Sequence, residues 1–306
     1  MSAKARVGRL FRNNSFILAL SLVVGLAFGQ LAPYAKDTVT PLLAVIMTLS
    51  LMGVSSAVFS DFRKLLRPVS LSVLLNYVVL SGALIGLASL VVRDYELWTG
   101  FVLLAAVPPA VAVIPFTYHL GGRVETALAG SVAAHLVAFA AAPLICLAFL
   151  GSNLLQPRQL LLALAQLIAA PFLVSRLLRR TPAAPWVEKH RGAMLNWGFF
   201  IVIYTIIGLN RDAFLGQPAV LLDLSLVAFT CTFVIACVIN RLSRALGADK
   251  PDRISYSVIG AWKNYGLAGA LALAFFGSRA AMPAAVTTAF AILNFIWLTF
   301  WTRRHG

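Results

Sequence analysis

The sequence predicts an all-α membrane protein of ten transmembrane helices, arranged as two inverted five-helix repeats. Of 306 residues, 60% are apolar and only 11% charged, against roughly half and a quarter in soluble domains. Ten apolar runs approach the length that crosses ~30 Å of hydrocarbon, and the links between them leave no room for a separate soluble domain. Five spans in each half are an odd number, so the second half must run inverted to the first.

Span 1 (16–34) follows a basic flank like that of a signal peptide. It is longer than an h-region and its Ala-x-Ala-like cleavage pattern is weak, so it is expected to be retained. Span 2 (40–59) enters a basic loop, and span 3 (69–92) carries Asn76 near its start. Span 4 (98–120) contains Pro108, Pro109 and Pro115, each without a backbone donor and each expected to break the helix. Span 5 (126–150) places His135 one turn after Ser131, on the same face. The link 151–158 separates the first repeat (1–150) from the second (151–306). Spans 6 (160–178), 7 (194–209) and 8 (219–239) are plain apolar runs. Span 9 (255–276) holds Gly260, Gly266 and Gly269 around Lys263 and Asn264, and span 10 (280–301) carries Asn294, read as an interhelical hydrogen-bonding residue. Spans 4 and 9 occupy equivalent places in the two halves. Paired interruptions of this kind point to a midplane binding site, where unwound backbone offers free amides and carbonyls; two kinked packing helices are the plainer alternative.

The net charge of +15 follows from topology. With the N-terminus in the cytoplasm, 19 of the 25 Lys and Arg residues fall in the tails and even-numbered loops, five fall on the opposite side, and Lys263 lies within the membrane. This bias follows the positive-inside rule and predicts a multi-pass protein of the cell (inner) membrane with both termini cytoplasmic. Nucleic acid is not an expected partner, since the basic residues are not interleaved with exposed aromatics. Cys146, Cys231 and Cys237 lie in apolar runs with no disulfide or zinc spacing, and His119, His135, His190 and His305 lack metal-ligand spacing. No metal or cofactor is expected.

Lys263 is the most informative residue. A cation at the bilayer centre costs ~3 kcal/mol on insertion scales, which makes it a functional-site candidate by default. It lies roughly 12 Å from the cytoplasmic end of span 9, so snorkelling to the interface is the competing reading. His135 reads as a hydrogen-bonded packing histidine or a proton relay, and His119 as a solvated helix end.

Four stretches resemble the bile acid:sodium symporter family, a superfamily that includes the arsenite-efflux transporters. They are GVSSAVFSDFRKLLR at 53–67, Asn76-Tyr77, AVPPAVAVIPFTY at 106–118, and GAWKNYGLA at 260–268 followed by MPAA at 282–285. The likeness covers nearly the whole chain and suggests a divergent bacterial-type member. Val107 stands at the cysteine position of the arsenite carriers, which argues against arsenite. The resemblance implies a panel domain of spans 1, 2, 6 and 7 and a core domain of spans 3–5 and 8–10. Discontinuous spans 4 and 9 would cross, and a small organic anion would bind between the domains, usually driven by sodium.

By the same comparison this chain departs from the family at the sodium ligands. Val113 and Ile114 replace a Ser-Asn pair, Ala127 and Ser131 stand for small hydroxyl residues, Ile259 replaces a glutamate, and Asn76 and Lys263 replace glutamines. Sodium needs several hard oxygen ligands, so it is not expected. The Lys263 ammonium, with three donors, is expected in its place, bonded to carbonyls and Asn76. It would also offer a route to proton coupling by releasing and regaining a proton, and direct contact with an anionic substrate is a further reading. Asn264, Thr117, Pro108 and Pro109 complete the crossover candidates. A facilitator or efflux carrier, a receptor-like protein or enzyme on the same scaffold, and a passive channel are the competing functions. The residues supply no nucleophile-base pair for an enzyme. Cargo identity, transport direction and oligomeric state are not legible.

Overall fold

Proline and glycine decide where the helices stop. The computed structural model describes residues 14–53, 62–110, 112–151 and 157–304; among them every regular element is helical. Residues 54–61 of the 53–67 motif lie outside the described residues, as do Lys4, Arg6, Arg9 and Arg12 of the basic N-terminal flank.

Helix α1 (Asn14–Ala27) ends at a bend at Phe28. Short 3-10 and single-turn pieces then carry the chain from Gly29 to Thr38 directly into α2 (Val39–Met52). Pro33 sits in the first turn of its piece, where its missing N–H costs nothing. The expected boundary between spans 1 and 2 therefore moves back, and Lys36, Asp37 and Thr38 are helical rather than a link. Next come α3 (Phe62–Val73) and α4 (Ser81–Val91), joined by a π-helical segment at Leu74–Leu80. Span 4 is two pieces, α5 (Tyr95–Ala106) and α6 (Val113–His119). Pro108 and Pro109 break it as expected, but Pro115 does not: it falls in the first turn of α6, where no intrahelical acceptor is lost. Helix α7 (Val124–Leu150) closes the first half.

The second half begins with α8 (Pro157–Leu164), a π-helical segment at Ala165–Ala169 and α9 (Ala170–Leu178). Helix α10 (Ala184–Leu209) starts well before the expected residue 194, because a polar, largely exposed segment with Pro185 in its first turn extends the apolar run's helix beyond its hydropathy limit. After the short α11 (Arg211–Gly216), α12 (Pro218–Phe229) and α13 (Ile235–Ala245) flank a third π-helical segment at Thr230–Val234. Span 9 is again two pieces, α14 (Lys250–Ala261) and α15 (Tyr265–Phe275), and α16 (Ser278–Arg304) ends the chain's described part. Among the described residues six helices are long and apolar enough to cross a membrane, with shorter apolar helices at 16–27, 95–106 and 165–178. The two runs expected to be discontinuous are each split, and the boundary between the first two runs falls at Phe28.

Lengths recur in order. Helices α4 and α13 each have 11 residues, and α5 and α14 each have 12. A π-helical segment separates the first pair in each half. In space, α1, α2 and α9 pack with α10 or with one another, whereas α3–α7 and α12–α16 pack mainly among themselves. Helix α15 touches both α5 and α16. At Gly100 in α5, an added Cβ would collide with the Ala280 carbonyl and the Pro283 ring. Only glycine lets α5 and α16 approach this closely.

Candidate functional site

The two helix breaks touch. The Asn264 backbone N–H donates to the Pro108 carbonyl at 2.8 Å, so the unwound centres of the split spans are joined by a main-chain hydrogen bond. Unwound backbone inside a membrane protein must find partners, and several groups at this junction do. The Lys263 carbonyl accepts from the Tyr265 N–H (2.9 Å), and the Asn264 carbonyl accepts from Ala268 (2.9 Å). Asn264 also caps α15, its Oδ1 accepting from the Leu267 N–H at 3.1 Å, while its Nδ2 reaches the Met47 sulfur at 3.3 Å.

Lys263 sits in this junction, 0% exposed. Its Nζ donates to Asn76 Oδ1 at 2.8 Å and to the Val107 carbonyl at 3.0 Å. It also lies 4.4 Å from the centroid of the Tyr77 ring, within cation–π range. Asn76, equally buried, uses its Nδ2 to donate to the carbonyls of Ile259 (2.9 Å) and Trp262 (3.2 Å). Both lie at the unravelled end of α14, where helical carbonyls lose their partners. Ser81 Oγ joins Asn76 and α5 through the Asn76 and Ala105 carbonyls. One asparagine and one lysine thus tie α3–α4, α5 and α14 together. With full burial and fixed partners, Lys263 does not snorkel.

The other expected positions are more scattered. Tyr77 Oη donates to the Ala134 carbonyl at 3.1 Å, which brings α7 alongside. Ser131 and His135 flank that contact, both buried, and His135 Nδ1 donates to the Ser131 carbonyl at 2.7 Å. Its Nε2 is buried and has no hydrogen-bond partner among the described residues, as is Thr117 Oγ1. Val113, Ala127 and Ile259 are fully buried apolar residues. Asn294 Oδ1 accepts from the Trp262 indole at 3.3 Å.

A cavity of about 490 Å³ opens beside the junction, between α1, α2 and α10 on one side and α6, α15 and α16 on the other. Asn264 and Ile114 line it; Lys263, Asn76, Thr117, Pro108, Pro109, Ser131 and His135 do not. In this structure the ammonium belongs to the crossover, one residue behind the cavity wall. Phe116, Trp262 and Phe295 form an aromatic cluster on that wall, with centroids 4.2 to 6.2 Å apart. Two charged residues that the sequence analysis did not single out, Glu188 and Arg191, also line the cavity. Their spacing of three on a helix was visible, but a helix starting at residue 184 was not.

Ion pairs close both ends of the split helices. Asp94 caps α5 and accepts from Arg279 at 2.8 Å. Asp249 caps α14 and, with Asp252, binds Arg123. Asp252 and then Asp249 hold the Arg123 guanidinium above its ordinary value. For Asp94, burial pushes the carboxyl up, but Arg279 and the amides of Leu97 and Glu96 outweigh it and hold it below the usual range.

Broken helices meeting at their unwound centres beside a cavity, in an all-helical multi-pass membrane protein, define the secondary-transporter class. The chain belongs to the SBF-like CPA transporter family (DUF4137), whose sequence profile matches residues 14–293 and which is bile acid:sodium symporter-like. No curated protein matches the chain.

Proposed function

We propose that this protein carries a small organic anion across the cell membrane without sodium, with Lys263 standing where the family's relatives would bind the ion. The observation that carries this reading is the Lys263 hydrogen-bond set. Its ammonium fills the junction and satisfies Asn76 and the Val107 carbonyl. The neighbouring positions Val113, Ile114, Ala127 and Ile259 offer no side-chain oxygen, so the residues present do not fit a sodium ion.

The same contacts favour proton coupling. The partners of Nζ are two neutral oxygens and a ring, so a proton can leave and return without breaking an ion pair. The matching order of α3–α7 and α12–α16, each with a π-helical segment after its first helix and a break before its fourth, supports two inverted repeats. The packing groups support a panel of spans 1, 2, 6 and 7 moving against a core that contains the crossover, and the positive-inside bias supports cytoplasmic termini. The test is uptake into proteoliposomes of a carboxylate chosen by thermal-shift screening. Uptake should ignore an imposed sodium gradient and accelerate with an imposed pH gradient; dependence on sodium would overturn the proposal.

A further inference from the structure

We infer that Arg191 is the residue that receives the anionic group of the cargo on its open guanidinium edge, and that Glu188, held on the other edge, weakens that binding by partly neutralising the same cation. The inference rests on the transport reading above and deepens it, narrowing the cargo to a monoanion with an apolar, ring-bearing body.

Within the described cavity wall, Glu188 and Arg191 are the only charged side chains. They stand on the cavity-facing side of α10, three residues apart, with Arg191 Nε and Nη2 donating to Glu188 Oε1 at 3.1 and 3.0 Å. A partly exposed pair of this kind contributes little to stability, so helix support is a weak reason for it. Glu188 engages one edge of the guanidinium fork. The remaining Nη1 lies against Gly53 at the end of α2, so close that any Cβ at position 53 would strike it. Gly53 itself lines the cavity. The chain thus seats a guanidinium across the gap between α10 and α2, with one fork edge unbonded among the described residues and beside the cavity.

The chemistry of the opening follows from charge and shape. Guanidinium binds carboxylate through two parallel N–H donors, and Arg191 offers one such site. A second negative charge next to the first would meet Glu188, and one at the far end of the body would be buried unpaired against the apolar wall. Away from this pair the wall turns apolar and aromatic, with Phe116, Phe199, Trp262, Tyr265 and Phe295. Lys263 is sealed from the cavity, so it does not compete for the anion.

The test uses the full-length purified protein and three probes: 2-naphthoate, neutral 2-naphthamide and 2,6-naphthalenedicarboxylate. Calorimetry should show 2-naphthoate binding at least tenfold tighter than either of the others. Arg191→Gln should abolish that preference, with Arg191→Lys intermediate. Glu188→Gln should tighten 2-naphthoate severalfold, an effect of the opposite sign from any loss of fold. Equal binding of acid and amide, unchanged affinity in Arg191→Gln, weaker binding in Glu188→Gln, or no binding of 2-naphthoate by the wild type would each overturn the inference. Transport is scored separately by counterflow of 2-naphthoate in proteoliposomes. Arg191-dependent binding without counterflow would leave the site standing and remove the carrier reading.

Discussion

Lys263 is expensive to bury, and its value depends on what it pairs with. Removing it leaves Asn76 Oδ1 and the Val107 carbonyl unpaired in a dry interior, at about 1–3 kcal/mol each. Lys263→Met should therefore lower the melting temperature by several degrees and reduce transport at least tenfold. Lys263→Gln, which retains a donor, should recover part of the stability but not the transport. Thermal melts and initial uptake rates check both; an unchanged melting temperature for Lys263→Met would mean that the ammonium holds nothing together. That Lys263 mattered was legible, because a charge in an apolar run has few explanations. Its distance from the cavity was not, since it depends on the extended backbone at Trp262, which places both neighbours, Trp262 and Asn264, on the wall and the lysine behind it.

The split helices are each fastened at both faces of the membrane by matching devices. An acidic N-cap on one broken helix binds an arginine that follows the other: Asp94 with Arg279, and Asp249 and Asp252 with Arg123. The depressed Asp94 carboxyl contributes stability above its unfolded value of about 4. That contribution is lost as pH falls through the lower folded value. Melting temperatures followed from pH 6 to pH 3 should fall more steeply for the wild type than for Asp94→Asn, which should start lower and run flatter. Parallel curves would show that the pair adds nothing. Helix breaks at Pro108 and at the Lys263-Asn264 pair were readable from local chemistry. The survival of α6 through Pro115 was not, because proline is harmless only once the helix start is known.

Across the whole molecule, the proposed five spans per half and the charge bias together predict opposite orientations for the two halves. Single cysteines placed at Gly151 or Gln217 of a cysteine-free protein should react with impermeant maleimide in intact cells. Cysteines at Thr181 or Ala248 should react only after permeabilisation. The reverse pattern at either pair would overturn the inverted arrangement. Class, membrane residence and the importance of spans 4 and 9 were determined by sequence alone, because hydropathy, charge bias and proline act locally along the chain. Tertiary structure alone decided which carbonyls Lys263 and Asn76 satisfy, that Asn264 rather than Lys263 faces the cavity, and that Arg191 meets Gly53. Those pairings join residues more than a hundred positions apart, and only packed helices bring them within hydrogen-bonding reach.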